Sequence, residues 1–327
     1  MSDLWSTPGN WTPNTVPDGG TADVTVTNVT NNPVLIDISP TIDDLTVGAG
    51  NSVTLENGNA LSVSGSGGST LGLKGGLLLD STGSFTDLSL SGAVTLTGGG
   101  ALMMSNQFAN RIYGTSAGAA LTVAAGSTIE GAGQIGINDS SFAFTLTNKG
   151  TIDANQSNPL QIAPSSAVTN TGTLEATGGG TLDLIATVNN AGGVVLGSGT
   201  SSVVEVNGST INGGTLTTPS GGTVQNSGTA ALNGVTISSG STFTGVNGSV
   251  TTAEGTVTDR GTLLLDSTGA FTDLSLSGAV TLTGGGALTM SNQFANRIYG
   301  TSAGAALTVA AGSTIEGAGQ IGINDSS

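Results

Sequence analysis

Residues 75–141 return at 261–327 with three differences in 67 positions: Gly76/Thr262, Ser84/Ala270 and Met103/Thr289. A chain that writes one segment twice is either two like domains or one array in which each copy extends the last. A shorter period decides between them. "TNKGTIDA" carries Asn148, "TNTGTLEA" Asn170, "NNAGGVVL" Asn190 and "INGGTLTT" Asn212, at spacings of 22, 20 and 22 residues. Weaker forms follow at Asn226 ("QNSGTAAL") and Asp259 ("TDRGTLLL"). Each reads as a turn and the start of a strand. The Gly suits the left-handed backbone of a sharp corner, and Thr followed by an aliphatic residue suits a half-buried strand. Turns and short strands at this period, with no helix between them, describe one coil of a β-solenoid. Tandem β-sandwich domains are the alternative, and they leave the short period unexplained.

Composition points the same way. Gly contributes 55 of 327 residues, hydrophobic residues 36%, and charged residues only 8%, against roughly a quarter in average globular chains. The polar remainder is Thr, Ser, Asn and Gly, which turn and pair strands, so the chain is not of the disordered class. The expected fold is all-β, a right-handed parallel β-helix of about 15 coils with 20–22 residues per coil, forming a rod of roughly 70 Å. Residues 1–50 read as a Trp/Pro-containing cap with the first coils, 51–260 as a first module, and 261–327 as the start of a second on the same solenoid. Alternation places Ile152, Leu174, Val194 and Leu216 inward. Asn148, Asn170, Asn190 and Asn212 then stack in a column whose amides hydrogen-bond from coil to coil.

The same composition removes several chemistries. There is no Cys and no His, hence no disulfide frame, no thiolate metal site and no imidazole base. A net charge of −16 from 21 acids and 5 bases disfavours nucleic acid and anionic membranes, which reward clustered Lys and Arg. No apolar run reaches the roughly 18 residues of a spanning helix, so no membrane insertion is expected. "MSDLWSTPGNW" has neither the charged region nor the apolar core of a signal peptide. An extracellular location therefore requires a signal outside this chain.

Asp153 and Glu175 share one position in successive motifs, one coil apart, near the separation of a retaining glycosidase pair. The next copies hold Val195 and Thr217 there and no Arg or aromatic platform accompanies them, so they read as a solvated acidic face. "DSTGSFTD" (80–87) and "DSTGAFTD" (266–273) put Asp at both ends of a Gly-containing loop, and oxygen ligands suit calcium. Asp and Ser also favour such turns by bonding their own backbone, so no cofactor is expected. "TLT" and "TVT" triplets, which on some solenoids form flat ice-binding arrays, do not recur at the coil period. No such array follows from the sequence.

The phrases "NKGTIDA…TNTGTLEATGGGTLDL…NNAGGVVL…INGGTLTT" resemble the repeats of large bacterial surface proteins, the filamentous-haemagglutinin and autotransporter-passenger class of adhesins. "LWSTPGNWTPNTVPDGGTADVTVT" resembles the start of such arrays. The resemblance implies an extracellular, cell-surface structural or adhesive stalk. Its partners would be further modules or other copies end to end, and host or matrix glycans or proteins. A filament or surface-layer subunit stacking end to end is an alternative. Polysaccharide lyases also use parallel β-helices, but five basic residues hardly supply their clusters. No catalytic residue carries over, and no enzyme activity is expected.

Two further features bear on contacts. "NQFANRIYG", present twice, places Arg111 and Tyr113, and again Arg297 and Tyr299, in a wall of small residues. Tyr and Arg are favoured at interface hot spots, which makes these a contact patch. In the other reading, Phe108 and Ile112 plug the core of a wide coil. At the N-terminus, Trp5 and Trp11 are expected to cover the end of the core, while Pro8, Pro13 and Pro17 deny donors to a visiting strand. "GAGQIGINDSS" has no aromatic residue or Pro, so an open edge is expected there.

Overall fold

A computed structural model describes residues 3–29, 33–65, 67–137 and 144–322. The chain is an all-β parallel β-solenoid of about 13 turns and 2% helix. By its internal contacts it divides into two units, Met1–Thr173 and Leu174–Ser327.

The first coil holds β1 (Asp23–Val26), β2 (Val34–Ile36) and β3 (Thr41–Ile42), and the second holds β4 (Asp44–Val47), β5 (Ser52–Glu56) and β6 (Ala60–Val63). β1 pairs in parallel with β4, β2 with β5 and β3 with β6. Three strands per coil thus give three faces, and each face grows by one strand per turn. Alternate residues point inward. On one face Leu61, Leu88, Ile112, Ile135 and Ile162 follow one another in register, all with no exposed surface. The second unit repeats the device with Leu182, Val204, Val224, Phe243, Leu263 and Leu288.

Coil length differs from the sequence expectation, and this accounts for the smaller number of turns. Register steps of 22 and 20 residues hold near the Asn motifs, as from Leu182 to Val204 to Val224. Within the duplicated segment they are 25 and 27, as from Leu77 to Leu102 to Ile129. The extra residues enter the corners, where Gly-rich turns give no motif to count. Some corners are so tight that main chain lies on main chain. A Cβ added to Gly65 would stand 2.6 Å from the Cα of Gly92 one coil on, and Gly65 has φ +62°.

Register corrects three further expectations. Asn189, not Asn190, pairs with Asn212, so Asn212 leaves the buried column and lies part-exposed on the outer face. There it bonds Asn189 Oδ1 at 3.1 Å and accepts from Asn233 at 3.0 Å. Val194 is half-buried and Val195 is the core residue. From the buried Asn to the first core aliphatic residue the step is four residues at Asn148 and Asn170 but five at Asn190, and this one added residue turns the side chains over. Finally, Thr70, Thr95, Thr122, Thr147 and Thr169 are successive register partners. They form a Thr column on an outer face that triplet counting did not find, because coils of unequal length hide the period.

Candidate functional site

The duplicated "NRIYG" is a strand, Asn110–Gly114, lying one coil after the strand Thr86–Leu90. Register sets Arg111 against Asp87 and Tyr113 against Ser89, with all four side chains on the outer face. Ile112 between them is fully buried. The plug reading therefore holds for Ile112 and fails for Phe108, which is 42% exposed.

Arg111 donates from Nε to Asp87 Oδ1 at 2.7 Å and from Nη2 to Oδ2 at 2.6 Å. This is the bidentate geometry that fixes a guanidinium plane. Tyr113 donates its hydroxyl to the same Oδ2 at 3.3 Å. Phe85, in the turn before Asp87, lays its ring on the guanidinium with 3.7 Å between Cζ and the ring centroid, and the Tyr113 ring lies 5.2 Å away. One face of Phe85 is thus held by a cation–π contact, yet the residue remains 58% exposed. The Asp87 hydrogen bond holds the Arg111 guanidinium above its usual range. Burial, and then the Asp87 charge, push the Tyr113 hydroxyl up. Both shifts deepen the states these groups already hold at neutral pH.

The second copy rebuilds the arrangement. Arg297 meets Asp273 at 2.7 and 2.5 Å, Tyr299 donates to Asp273 at 3.1 Å, and Arg297 lies 3.9 Å from the Phe271 centroid. Phe271 is 55% exposed. Chemically the patch is a neutral platform: both oxygens of each Asp accept from the neighbouring Arg. A rigid aromatic face beside a Tyr and an Arg suits recognition. Sequence reading named Arg111, Tyr113, Arg297 and Tyr299 but missed Phe85, Asp87, Phe271 and Asp273. The 24-residue step from Asp87 to Arg111 was the available signal, obscured by counting coils at 20–22. Asn110 was missed as well. Fully buried, it holds the preceding turn through Ser105 O at 2.8 Å and Gln107 O at 3.1 Å.

Asn148 Nδ2 donates to Asn170 Oδ1 at 2.8 Å and to Thr173 O at 2.9 Å, and its Oδ1 accepts from Gly150 N at 3.2 Å. Asn190 is also fully buried and donates to Gly213 O at 3.4 Å. Trp5 is fully buried, its indole donates to Pro17 O at 3.0 Å, and Trp11 meets it edge-on with centroids 4.7 Å apart. Trp11 donates to Trp5 O at 2.8 Å. Asp153 and Glu175 are half-buried on outward positions, and Asp153 is the register partner of Glu130. The "DSTGSFTD" turn is closed by Ser81, whose Oγ donates to Ser84 O at 2.7 Å and accepts from Gly83 N at 3.1 Å. Among the described residues no group of three or more acids is placed to hold a metal ion. Neither a protein-family model, a curated protein nor a solved structure matches the chain.

Proposed function

We propose that the chain is a non-enzymatic, extracellular β-solenoid stalk of a bacterial surface protein, and that it carries an adhesive patch once per module. The observation behind this reading is the patch itself. Phe85, Asp87, Arg111 and Tyr113 recur as Phe271, Asp273, Arg297 and Tyr299 with matching bonds. In each copy the Phe stays more than half exposed. An exposed Phe stacked on a paired Arg keeps its contact face rigid, which lowers the ordering cost of binding. The partner class is a host or matrix glycan or protein.

Adhesion of protein-coated beads to glycan and matrix-protein surfaces tests the reading. Beads carrying the chain are expected to adhere, and Phe85→Ser with Phe271→Ser to reduce adhesion at least tenfold with an unchanged far-ultraviolet spectrum. Equal adhesion of the double variant removes the patch from the function. Release of reducing or unsaturated sugars from acidic glycans would replace the stalk with an enzyme.

A further inference from the structure

The N-terminal segment covers the first coil unevenly. On β2, Trp5 N donates to Leu35 O at 2.7 Å and Leu35 N to Asp3 O at 2.9 Å. On β3, Gly19 N donates to Thr41 O at 2.6 Å and Thr41 N to Asp18 Oδ1 at 2.9 Å. β1 has β4 on one side, and no described residue pairs with the other. The carbonyls of Ala22 and Val26 accept from Asp43 and Gly48 at 2.8 and 2.9 Å, so they face β4. Successive residues of a strand direct their N–H and C=O to opposite sides. Asp23 and Thr25 therefore present theirs to the uncovered edge.

A cavity of about 810 Å³ runs along that edge, with Trp11, Pro13 and Pro17 in its wall. Its volume lies within the range of about 300–1,000 Å³ typical of ligand sites. The two prolines lack N–H groups and so do not compete for the β1 carbonyls. Asp3, Asp18 and Asp23 also line the cavity, and none of the chain's five basic residues does.

We propose that the free edge of β1 binds an extended peptide segment bearing Lys or Arg, added to the sheet as a further strand. Unpaired main-chain groups are what β-augmentation uses for affinity, and the acidic lining selects the sign of the partner's charge. The bond direction is set by Asp23 and Thr25, while Val24 and Val26 remain in the core at 4% and 2% exposure.

The probe is a fluorescein-labelled peptide, acetyl-Lys-Val-Thr-Val-Thr-Lys-amide, titrated with the full chain by anisotropy, beside a version with Glu in place of Lys. Saturable binding of the Lys peptide is expected, at least tenfold tighter than the Glu peptide and weakened by salt. Thr25→Pro removes one outward N–H that makes no internal bond, a substitution edge strands tolerate. It should weaken binding at least tenfold without moving the melting temperature. In the unaltered chain, saturating peptide should slow amide exchange at Asp23 and Thr25. Equal affinity for both peptides overturns the charge assignment. Unchanged exchange at those two amides overturns the site, whatever the fate of the Pro variant.

Discussion

Residues 105–135 and 291–321 differ only in their neighbours. Leu121, Val123, Ile129 and Ile135 have no exposed surface, whereas Val309 is 40% and Ile321 60% exposed. The strands Thr145–Asn148 and Thr151–Ala154 pair onto the first copy, and no described residue pairs in this way onto the second. The exposed loop feels the same difference. Asn106 holds Ser157 at 2.7 Å and accepts from Asn158 N at 2.8 Å, and Phe108 is 42% exposed against 73% for Phe294. The Arg–Asp pair does not change, because its parts come from one coil and the coil before it. Identical residues thus have two kinds of property: those settled by the preceding coil, which duplication preserves, and those settled by the following one.

The largest test of this contrast is a paired truncation. Leu121→Ala empties a site enclosed on every side and should cost about 2–5 kcal/mol. Leu307→Ala acts on a half-exposed residue and should cost less than about 1 kcal/mol. Urea midpoints with amide exchange in the affected coils check both. Equal losses would show that burial in the second copy is completed in solution.

A second test uses a position just before each copy. Gly100 N donates to Leu73 O at 2.7 Å, and Gly286 N to Asp259 O at 2.8 Å, so Leu73 and Asp259 hold equivalent places. Both side chains are fully buried, and Asp259 Oδ2 has no hydrogen-bond partner. Desolvation raises the Asp259 pKa above its ordinary value. The folded state therefore holds this proton to higher pH than the unfolded chain does. The stability linked to it is fully present below the unfolded pKa and is lost as pH rises through the folded one. Asp259→Leu should stabilise the chain at pH 7 by about 1–3 kcal/mol and flatten the dependence of the melting temperature on pH. A variant no more stable than the parent at pH 7 would mean that Oδ2 is satisfied in solution.

The smallest effect should fall on the conserved geometry. Arg111→Ala and Arg297→Ala each remove a partly exposed ion pair, with side-chain exposures of 18% and 22% for the two Arg. Solvent screening limits each loss to about 1 kcal/mol. The two losses should be equal within error, since each pair forms with the preceding coil. A clear difference in thermal melts would show that the following coil also supports the patch.

The solenoid was legible because an Asn-bearing turn followed by an aliphatic residue recurs at Asn148, Asn170, Asn190 and Asn212, with Thr before the aliphatic residue in all but the Asn190 copy. Where such a motif was present, direction was legible too, as with Ile152, Leu174 and Leu216, all buried. Val194 and Asn212 were misplaced because one added residue at a corner inverts a strand, and a Gly-rich corner does not announce its length. The candidate patch was half legible. Arg111 and Tyr113 stood out as rare residues, but Phe85 and Asp87 join them only through a register that no local spacing states. The Thr column failed for the same reason.

Strand partners lie only a short distance apart along the chain: 21 residues from Asp23 to Asp44, 27 from Leu96 to Val123, 20 from Val204 to Val224. Closing a loop of that size costs an entropy that grows only as the logarithm of its length, and every added turn closes one of similar size. Folding that starts in any well-packed pair of turns can then spread to the next with no long search. The time to order each further turn does not depend on how many are already in place, so a gene can lengthen such a protein by duplication without slowing the folding of what it adds.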